Sequence, residues 1–408
     1  MTGATAVAQP IRDNERADVL DALRGFALLG ILISHIPDFS GMSFMTPAQA
    51  IALDNFGLNA PLGMLQDVLI RGKFYSLFSL LFGIGFIVQL ESAARREADF
   101  ARHFARRLTV LLVIGLIHAG LWYGDILKDY AAIGFVLIPL GRAKAKTIAW
   151  AAASVFALRL IWPGIMSWLL PFVWSAHARP DGGFAAIAGA FGGNNLSSLF
   201  FANLELVQLK ALQTIYEGRA LSILSMFLLG AWVGKLGLYR VGPGTRKQLS
   251  RAFWICAPVG IIGNAVLAPL HAATPDFPPN SAWVLENTLY AVAIPAMAVA
   301  YASGFAWLWA SGWRFVLQWL APAGRMALTT YISQTLIGIA LFYGVGFGLH
   351  GQIGLLQGTI LAFAIFAAQC AIARFWLRRF HFGPIEWIWR RLTYGAPITF
   401  VRTARPIE

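Results

Sequence analysis

A succession of apolar runs, each close to the length of a membrane-spanning helix, constrains this 408-residue chain more than any other feature. In a bilayer every backbone polar group needs a partner within its own segment, so runs of about 20 apolar residues fold as helices. The chain is 58% hydrophobic and only 12% charged, a composition far from that of soluble domains. The sequence therefore predicts an all-α, polytopic membrane helical bundle of about ten transmembrane helices. We place them approximately at 19–37, 74–91, 107–123, 126–141, 147–173, 220–238, 252–271, 284–310, 325–347 and 353–377.

The basic residues indicate how these helices are oriented. They cluster in the connections between apolar runs, at 95–107, 142–146, 235–251 and 378–405. Cytoplasmic connections are the ones enriched in Lys and Arg, and with the N-terminus inside all four clusters fall on that side. Both termini are therefore predicted to be cytoplasmic. The net charge of +13 reflects membrane topology, and no nucleic-acid partner is expected.

The chain is interpreted as a single membrane domain over 1–408, with three segments that depart from the pattern of short connections. Residues 1–18 form a cytoplasmic N-terminal segment that lacks the features of a cleavable signal peptide. The external stretch 174–218 is long, and its amphipathic run favours an ordered helix over a disordered loop. The segment 383–408 is predicted to form an interfacial helix at the cytoplasmic surface, followed by a tail.

The first predicted helix carries two ionisable residues, Arg24 and His35, inside an otherwise apolar span. Such residues are costly in hydrocarbon and usually mark functional sites. The spacing corresponds to about three turns, so both side chains share one face, roughly 16 Å apart along the axis. This face could hold an anionic group near one membrane surface and support proton chemistry near the other. Alternatively, Arg24 reaches the interface and His35 bonds a neighbouring helix.

Three further ionisable residues, Lys73, His118 and Asp125, are predicted to lie near the outer leaflet at the depth of His35. The short turn between the third and fourth spans brings Asp125 within reach of His118. A carboxylate partner fixes the tautomer of an imidazole and supports its charged form, which suits general-base catalysis. The same four residues could instead form a proton relay in a transporter, or a structural tie between helices. A metal site is not expected, because no close His spacing supports one.

The ninth predicted span is unusually polar. Arg325 lies at its cytoplasmic mouth, and Tyr331 and Gln334 follow it inward. Because lipid contact does not satisfy so many polar side chains, part of this helix must face protein or water. We interpret Arg325, Tyr331 and Gln334, together with Arg24, as candidate ligand-binding residues. A purely structural role is the alternative.

An ordered set of short sequence motifs runs along the chain. They are LDALRGFALLGIL from Leu20, FSLLFGIGF from Phe78, GLIH from Gly115, GDIL from Gly124, GRMALTTY from Gly324 and GPIEWIWR from Gly383. Together these motifs resemble the YeiB-like family of bacterial inner-membrane proteins, whose C-terminal domain is one of unknown function. The resemblance covers nearly the whole chain and implies a multi-pass location in the bacterial inner membrane.

That family is in turn similar to the transmembrane acyltransferase superfamily, whose members carry an acyl group from cytosolic acyl-CoA to an acceptor on the far side of the membrane. The resemblance implies acyl-CoA, for example acetyl-CoA, as the donor, and a glycan or a small hydroxyl or amine compound as the acceptor. Arg24 and His35 match the spacing of a functional Arg–His pair in bacterial O-acyltransferases. YeiB-like proteins commonly have Asn at the position of His35, which favours His118 with Asp125 as the base.

The hypothesis is a membrane-bound acyltransferase in which the His118 imidazole is the general base and His35 assists or replaces it. Lys73 would stabilise the developing oxyanion, and Arg24 and Arg325 would bind the donor phosphates. One alternative is a transporter or flippase of a lipid or amphiphile, with the same residues as a proton relay. Another is a structural or regulatory membrane subunit. Membrane lipids and a second copy of the chain, in a homodimer, are the expected partners besides the substrates.

Overall fold

The computed structural model describes residues 18–54, 56–95, 99–174, 183–274, 280–395 and 397–402. The regular secondary structure of this part of the chain is helical, and one isolated antiparallel bridge joins Phe380 to Val401. The predicted all-α polytopic bundle is confirmed. Most of the predicted N-terminal segment, residues 1–17, and the end of the predicted C-terminal tail, residues 403–408, lie outside the described residues.

The first half of the described chain contains nine α-helices. In chain order they are α1 (Asp18–Ser40), α2 (Pro47–Ala52), α3 (Asn59–Leu69), α4 (Lys73–Ala94), α5 (Phe100–Leu121), α6 (Leu127–Gly134), α7 (Ala145–Trp174), α8 (Gly183–Gly192) and α9 (Leu196–Tyr216). Two short 3-10 helices, Phe135–Leu137 and Pro139–Arg142, extend α6 towards α7. The predicted fourth span is therefore a helical segment of changing pitch.

The second half adds eight α-helices. They are α10 (Arg219–Lys235), α11 (Arg246–Ala273), α12 (Ser281–Leu308), α13 (Arg314–Leu317), α14 (Ala321–Arg325), α15 (Ala327–Phe342), α16 (Leu355–Arg379) and α17 (Pro384–Tyr394). A π-helical turn, Trp309–Trp313, follows α12 and contains Gly312 at φ 101°. Since only glycine adopts this φ without strain, Gly312 allows the chain to change direction before α13.

Each of the ten predicted spans coincides with a helical segment, but the segments differ in length. Seven in the described part of the chain are long and apolar enough to cross a membrane, and they contain α1, α4, α5, α7, α11, α12 and α16. The other three predicted spans correspond to α6 with its extension, to α10 and to α15. The last two have 17 and 16 residues. Such helices measure about 25 Å, slightly less than the hydrocarbon thickness of ~30 Å.

The first helix, α1, is the central element of the bundle and packs against α4, α14, α15 and α16. Two glycines permit its closest contact. A Cβ atom on Gly25 would lie 2.1 Å from the carbonyl oxygen of Leu320, and one on Gly324 would lie 1.8 Å from that of Asp21. Small residues at such crossings let helix backbones approach, which is how helices associate where lipid removes the hydrophobic driving force. This contact fixes the segment that carries Arg24.

The predicted external stretch 174–218 contains two helices, α8 and α9, in its described part. Both pack onto the bundle. Asn203 of α9 donates hydrogen bonds to the carbonyl oxygens of Ala119 at 2.8 Å and Gly120 at 3.1 Å, close to the end of α5. Phe191 of α8 is fully buried. The amphipathic run therefore forms an ordered helix that ties this segment to the helix carrying His118.

The interfacial helix predicted at 383–395 is α17, and it contacts α5 and α15. Its Glu386 is buried although the helix is amphipathic. The carboxylate lies at the N-terminus of α15, where it accepts hydrogen bonds from the N–H groups of Leu328 at 2.6 Å and Thr329 at 3.0 Å. Helix N-termini leave such donors without intrahelical partners and favour negative charge. Glu386 thereby docks α17 onto the bundle.

Candidate functional site

A cavity of about 270 Å³, here called the central cavity, lies between α1, α4, α5, α6, α15 and α17. Much of its wall is apolar and includes Leu28, Ile31, Phe78, Leu81 and Leu111. Its charged groups come from the beginnings of α1 and α5, from α14 and from α17. By the predicted topology these groups lie at the cytoplasmic end. The central cavity thus has a charged mouth and an apolar interior, which suits an amphiphilic ligand.

Four arginines line the charged mouth: Arg24 of α1, Arg107 of α5, Arg325 of α14 and Arg390 of α17. Two carboxylates, Asp21 and Glu386, line it as well. The mouth therefore carries more positive than negative charge. A concave site of low polarity with one dominant sign of charge attracts ligands of the opposite sign.

Individual contacts hold these arginines in place. The Nη1 atom of Arg24 lies 2.5 Å from the Asp21 carboxylate, one turn earlier on α1. The Arg107 guanidinium lies over the Trp389 ring at 3.6 Å from its centroid, and the Trp389 indole donates to the Arg107 carbonyl at 3.0 Å. Stacking on Trp389 leaves the donor edge of the Arg107 guanidinium for other partners.

The helix α17 contributes to the charged mouth of the central cavity, and its burial affects two ionisable side chains. Burial raises the pKa of the Glu386 carboxyl, while its hydrogen bonds from Thr329 and Leu328 oppose that shift. Burial lowers the pKa of the Arg390 guanidinium, whereas the neighbouring Glu386 carboxylate raises it. Both groups are thus held at the mouth by docking of α17, and that docking completes the cavity.

His118 and Asp125 form the contact that their spacing predicts. His118 Nδ1 lies 2.7 Å from Asp125 Oδ1, and both side chains are almost completely buried. The second oxygen of Asp125 accepts from the Lys128 N–H at 3.0 Å. His118 Nε2 lies 2.9 Å from the Thr335 hydroxyl of α15. A hydroxyl, an imidazole and a carboxylate in a row are the arrangement in which a base is oriented by one partner and faces a proton donor with its other nitrogen.

Tyr331 links this cluster to the central cavity. Its side chain lines the cavity, and its ring centroid lies 5.1 Å from that of His118. Its hydroxyl donates to the Gly124 carbonyl at 3.4 Å. Neither His118 nor Asp125 lines the cavity itself. Tyr331 therefore forms the wall between the cavity and the buried imidazole.

His35 of α1 is partly buried and packs against two aromatic rings. Its ring centroid is 4.5 Å from that of Trp122 and 6.4 Å from that of Tyr331. These same two aromatic side chains also contact His118. His35 and His118 are thus linked through their shared contacts with Trp122 and Tyr331, and no hydrogen bond between described residues joins the two imidazoles. Like His118, it does not line the central cavity.

The structure does not bring Lys73 into this cluster. Its ammonium donates to the carbonyl oxygen of Asp67, at the junction of α3 and α4. No hydrogen bond or ion pair between described residues joins Lys73 to His118, Asp125 or His35. The sequence-based expectation of four groups at one site is therefore wrong for Lys73, because the side chain turns back towards its own helix junction. It cannot stabilise an oxyanion beside His118 in this arrangement.

Among the four predicted ligand-binding residues, Arg24, Arg325 and Tyr331 line the central cavity and Gln334 does not. The Gln334 amide donates to the Gln369 side chain at 3.1 Å, within the contact of α15 with its neighbours. Its location inside the protein explains the polarity of the ninth span, because the Gln334 N–H group finds its acceptor on Gln369, away from lipid. Gln334 is therefore better described as an interhelical contact.

Sequence reasoning missed Arg107, Arg390, Trp389 and Thr335. The two arginines belong to basic clusters that the positive-inside rule already explained, so nothing in their local sequence marked them as site residues. Thr335 lies in the polar run that begins at Arg325, and its polarity was the available signal. Only the packing of α15 against α5 shows that this hydroxyl meets His118.

Comparison with known proteins places the chain in a family. Residues 233–396 match a family model described as a protein of unknown function, DUF418. The chain is 31% identical to the uncharacterized protein YxaH of Bacillus subtilis (strain 168), over 95% of this chain and 96% of that protein. It is 30% identical to the uncharacterized protein YeiB of Escherichia coli (strain K12), over 94% of this chain and 97% of that protein.

A third relative, an uncharacterized 39.9 kDa protein of Bacillus acidopullulyticus, is 28% identical over 95% of this chain and 96% of its own length. The similarity to all three covers nearly the whole chain and so extends through both halves of the bundle. The predicted resemblance is confirmed, and this multi-pass membrane protein belongs to the YeiB-like family, which contains the DUF418 domain.

Proposed function

We propose that this protein is a membrane-bound acyltransferase that binds an acyl-CoA donor in the central cavity and transfers the acyl group to an acceptor hydroxyl or amine. One observation supports this most: four arginines surround the mouth of an apolar cavity that ends against the wall of the His118–Asp125 pair. The parts of an acyl-CoA donor follow in a matching order: charged phosphates, then a long uncharged arm, then the acyl thioester. The phosphates would lie on the cytoplasmic side.

The arginine mouth is suited to phosphate rather than to a simple carboxylate. A guanidinium presents a planar fork of donors and stays charged, and Arg24, Arg107 and Arg390 come from three different helices. Groups from separate elements can surround an extended polyphosphate. The apolar wall then accommodates the uncharged part of the donor.

Acyl transfer needs a base for the acceptor. The acceptor oxygen or nitrogen would form a bond to the thioester carbon as its proton passes to His118 Nε2, with Asp125 supporting the resulting imidazolium. The carbon–sulfur bond then breaks, and the leaving thiolate takes up that proton. In this scheme the acceptor occupies the position on Nε2 that the Thr335 hydroxyl fills in the structure.

The scheme requires Tyr331 to move, because its ring separates the cavity from His118. A rotation of this single side chain on α15 would open the path. This requirement is also the reason to keep a second candidate function. A transporter of an anionic amphiphile needs the same charged mouth and apolar cavity, but no direct access to His118.

Binding and chemistry can be separated with variants at two positions. Arg24→Ala is expected to weaken acetyl-CoA binding by roughly tenfold to a hundredfold, the loss of a charge-assisted contact, and Arg24→Lys to restore part of it. His118→Ala is expected to leave donor binding nearly intact and to abolish transfer, because a base acts on the acceptor. Calorimetric titration of protein in nanodiscs measures the first effect, and release of free CoA thiol measures the second.

Arg246→Ala is the matched control, because this exposed residue lies at the start of α11, away from the cavity lining. It should bind the donor as the wild type does. If folded wild-type protein binds no acyl-CoA of any chain length, the acyltransferase proposal is wrong. Binding of single-chain anionic lipids in that case would favour the transporter.

A further inference from the structure

A second cluster of polar side chains lies between α4, α7, α10 and α12, on residues that do not line the central cavity. Helices α10 and α12 each pack against both α4 and α7. The cluster consists of Arg159, Arg219, Glu217, Tyr75 and Tyr290. It is found near the end of the bundle at which α10 begins, which the predicted topology assigns to the external side.

Arg159 is the unusual member of this cluster. It lies about 21 Å along α7 from the first residue of that helix, and its side chain is 1% exposed. Its Nε donates to the Ser222 hydroxyl at 3.0 Å. Its Nη1 is buried and has no hydrogen-bond partner among the described residues. A guanidinium keeps its charge and carries five donors, so burial in a membrane helix with an unused donor is costly.

Arg219 supplies a second guanidinium at the first turn of α10. Its Nη2 lies 3.3 Å from Glu217, and these two side chains are 30% and 29% exposed. Gly218, between them, adopts φ 68°, and a Cβ atom there would lie 3.1 Å from Arg159 Cδ. Glycine therefore permits the chain to pass close to Arg159. The partly exposed pair of Arg219 and Glu217 connects the buried guanidinium to the surface.

Two tyrosine hydroxyls complete the cluster. Tyr290 donates to the Tyr75 hydroxyl at 3.3 Å, and the Arg219 guanidinium lies 5.9 Å from the Tyr75 ring centroid. Tyr75, Tyr290 and Glu217 are close enough to Arg159 to act on its charge. Hydroxyls beside guanidinium groups are the donors that surround a bound oxyanion.

The charges of the cluster leave a positive excess. Arg159 and Arg219 contribute two positive charges, and Glu217 offsets one of them. Asp129, which also acts on Arg219, is itself paired with Lys128, with 3.4 Å between their charged groups. Among the described residues, one positive charge of this cluster therefore has no paired carboxylate, and Arg159 is 1% exposed. An anion would satisfy both this charge and the unused donor of Arg159.

We propose that Arg159 and Arg219 form a second binding site, which takes an oxyanion group, a carboxylate or a phosphate, entering from the end of the bundle where α10 begins. The tyrosine hydroxyls of α4 and α12 orient the group. The bound oxyanion accepts from Arg159 Nη1, and Glu217 marks the entrance. This site is separate from the central cavity and does not depend on acyl transfer.

The oxyanion could belong to a soluble molecule or to a lipid headgroup, and two arms of one experiment distinguish them. Wild-type protein is placed in nanodiscs of phosphatidylcholine, and its Tm is followed by tryptophan fluorescence with sodium phosphate or sodium acetate against sodium chloride at equal ionic strength. In the second arm the nanodiscs contain phosphatidylglycerol instead. We expect Tm to rise in at least one arm, because a ligand that binds only the folded state stabilises it.

Variants at three positions test the assignment. Arg219→Gln and Tyr290→Phe are mild changes, and both are expected to weaken the rise in Tm with added anion. For Arg219→Gln, the apparent affinity for the anion should fall roughly tenfold or more. Arg159→Gln is expected to abolish it, and Arg159→Lys to restore only a part. Arg246→Gln, at an exposed residue outside the central cavity, is the control and should respond as the wild type does.

Two results would overturn the proposal. The first is a wild-type Tm that responds to neither soluble anions nor anionic lipid. The second is a response that persists in Arg219→Gln and Tyr290→Phe but disappears in Arg107→Gln, because the anion would then bind the central cavity. These two mild variants decide the question even if Arg159→Gln fails to fold.

Discussion

At the scale of single residues, specific hydrogen bonds stabilise a buried charge in this protein. Glu386 is the clearest case. Its carboxylate accepts from two backbone N–H groups of α15 and from the Thr329 hydroxyl at 2.5 Å. A buried carboxylate without such donors would be strongly destabilising. The same residue closes the central cavity, so a structural contact and a functional surface depend on one side chain.

We predict that Glu386→Gln loosens α17. The amide keeps one acceptor oxygen but places an NH₂ group where the second oxygen accepts, so at least one hydrogen bond is lost at a cost of about 1–3 kcal/mol. Hydrogen exchange should be faster in Pro384–Tyr394 than in the wild type. Glu91→Gln is the control, because its partner Arg240 is largely exposed and surface pairs contribute little. Unchanged protection of α17 in Glu386→Gln would show that the helix docks by its apolar face alone.

At the scale of elements, the bundle depends on close helix crossings rather than on a uniform apolar core. Gly83 of α4 and Gly230 of α10 lie where a Cβ atom would come within 2.0 Å of a backbone carbonyl oxygen of the other helix. The crossing of α1 with the segment around α14 is equally close. The crossing of α1 with α14 brings two of the candidate ligand-binding residues together, because α1 carries Arg24 and α14 carries Arg325.

Gly324→Ala is predicted to separate α1 from α14 and to lower stability by several kcal/mol, about the cost of overpacking a closely packed contact. The new methyl group would lie 1.8 Å from the Asp21 carbonyl oxygen. A backbone atom in a helix cannot move aside as the end of a flexible side chain can. Gly164→Ala on α7 is the control, since nothing lies within 4 Å of its Cβ position. Thermal unfolding in nanodiscs measures both. Equal Tm values for the two variants would contradict the role given to this crossing.

At the scale of the whole molecule, function depends on which end of the bundle faces the cytoplasm. The arginine mouth of the central cavity and the Arg159 site lie at opposite ends of the predicted topology. In the predicted topology, the clusters of basic residues put the arginine mouth inside, where the proposed acyl-CoA donor would be available. The predicted orientation therefore connects a charge pattern of the sequence to the side from which the proposed donor would enter.

Cysteine labelling tests this orientation without any substrate. In a variant with Cys256 and Cys370 replaced by alanine, cysteines at Lys144 and Arg246 should react with a membrane-impermeant reagent only after the membrane is opened, and a cysteine at Asn194 should react in intact cells. All three positions are exposed. Reaction at Asn194 from the cytoplasmic side alone would reverse the topology and place the arginine mouth outside.

The sequence by itself determined the helical class, the positions of the apolar segments and the family, because these depend on local hydrophobicity and on ordered motifs. It also predicted the contact of His118 with Asp125, since a short turn leaves few alternatives for residues seven positions apart. Arg24 could be recognised as a site residue because a charge inside an apolar run is costly wherever the helix packs.

Only the tertiary structure decided which polar groups meet across long separations in sequence. Thr335 reaches His118, and Arg107 and Arg390 join Arg24, through the packing of helices that are far apart in the chain. It also moved Lys73 away from the predicted cluster, because a long flexible side chain takes the nearest acceptor, here the Asp67 carbonyl. Hydrophobicity is a property of each segment, whereas the pairing of side chains depends on how helices cross, and that is set by glycine contacts and buried hydrogen bonds.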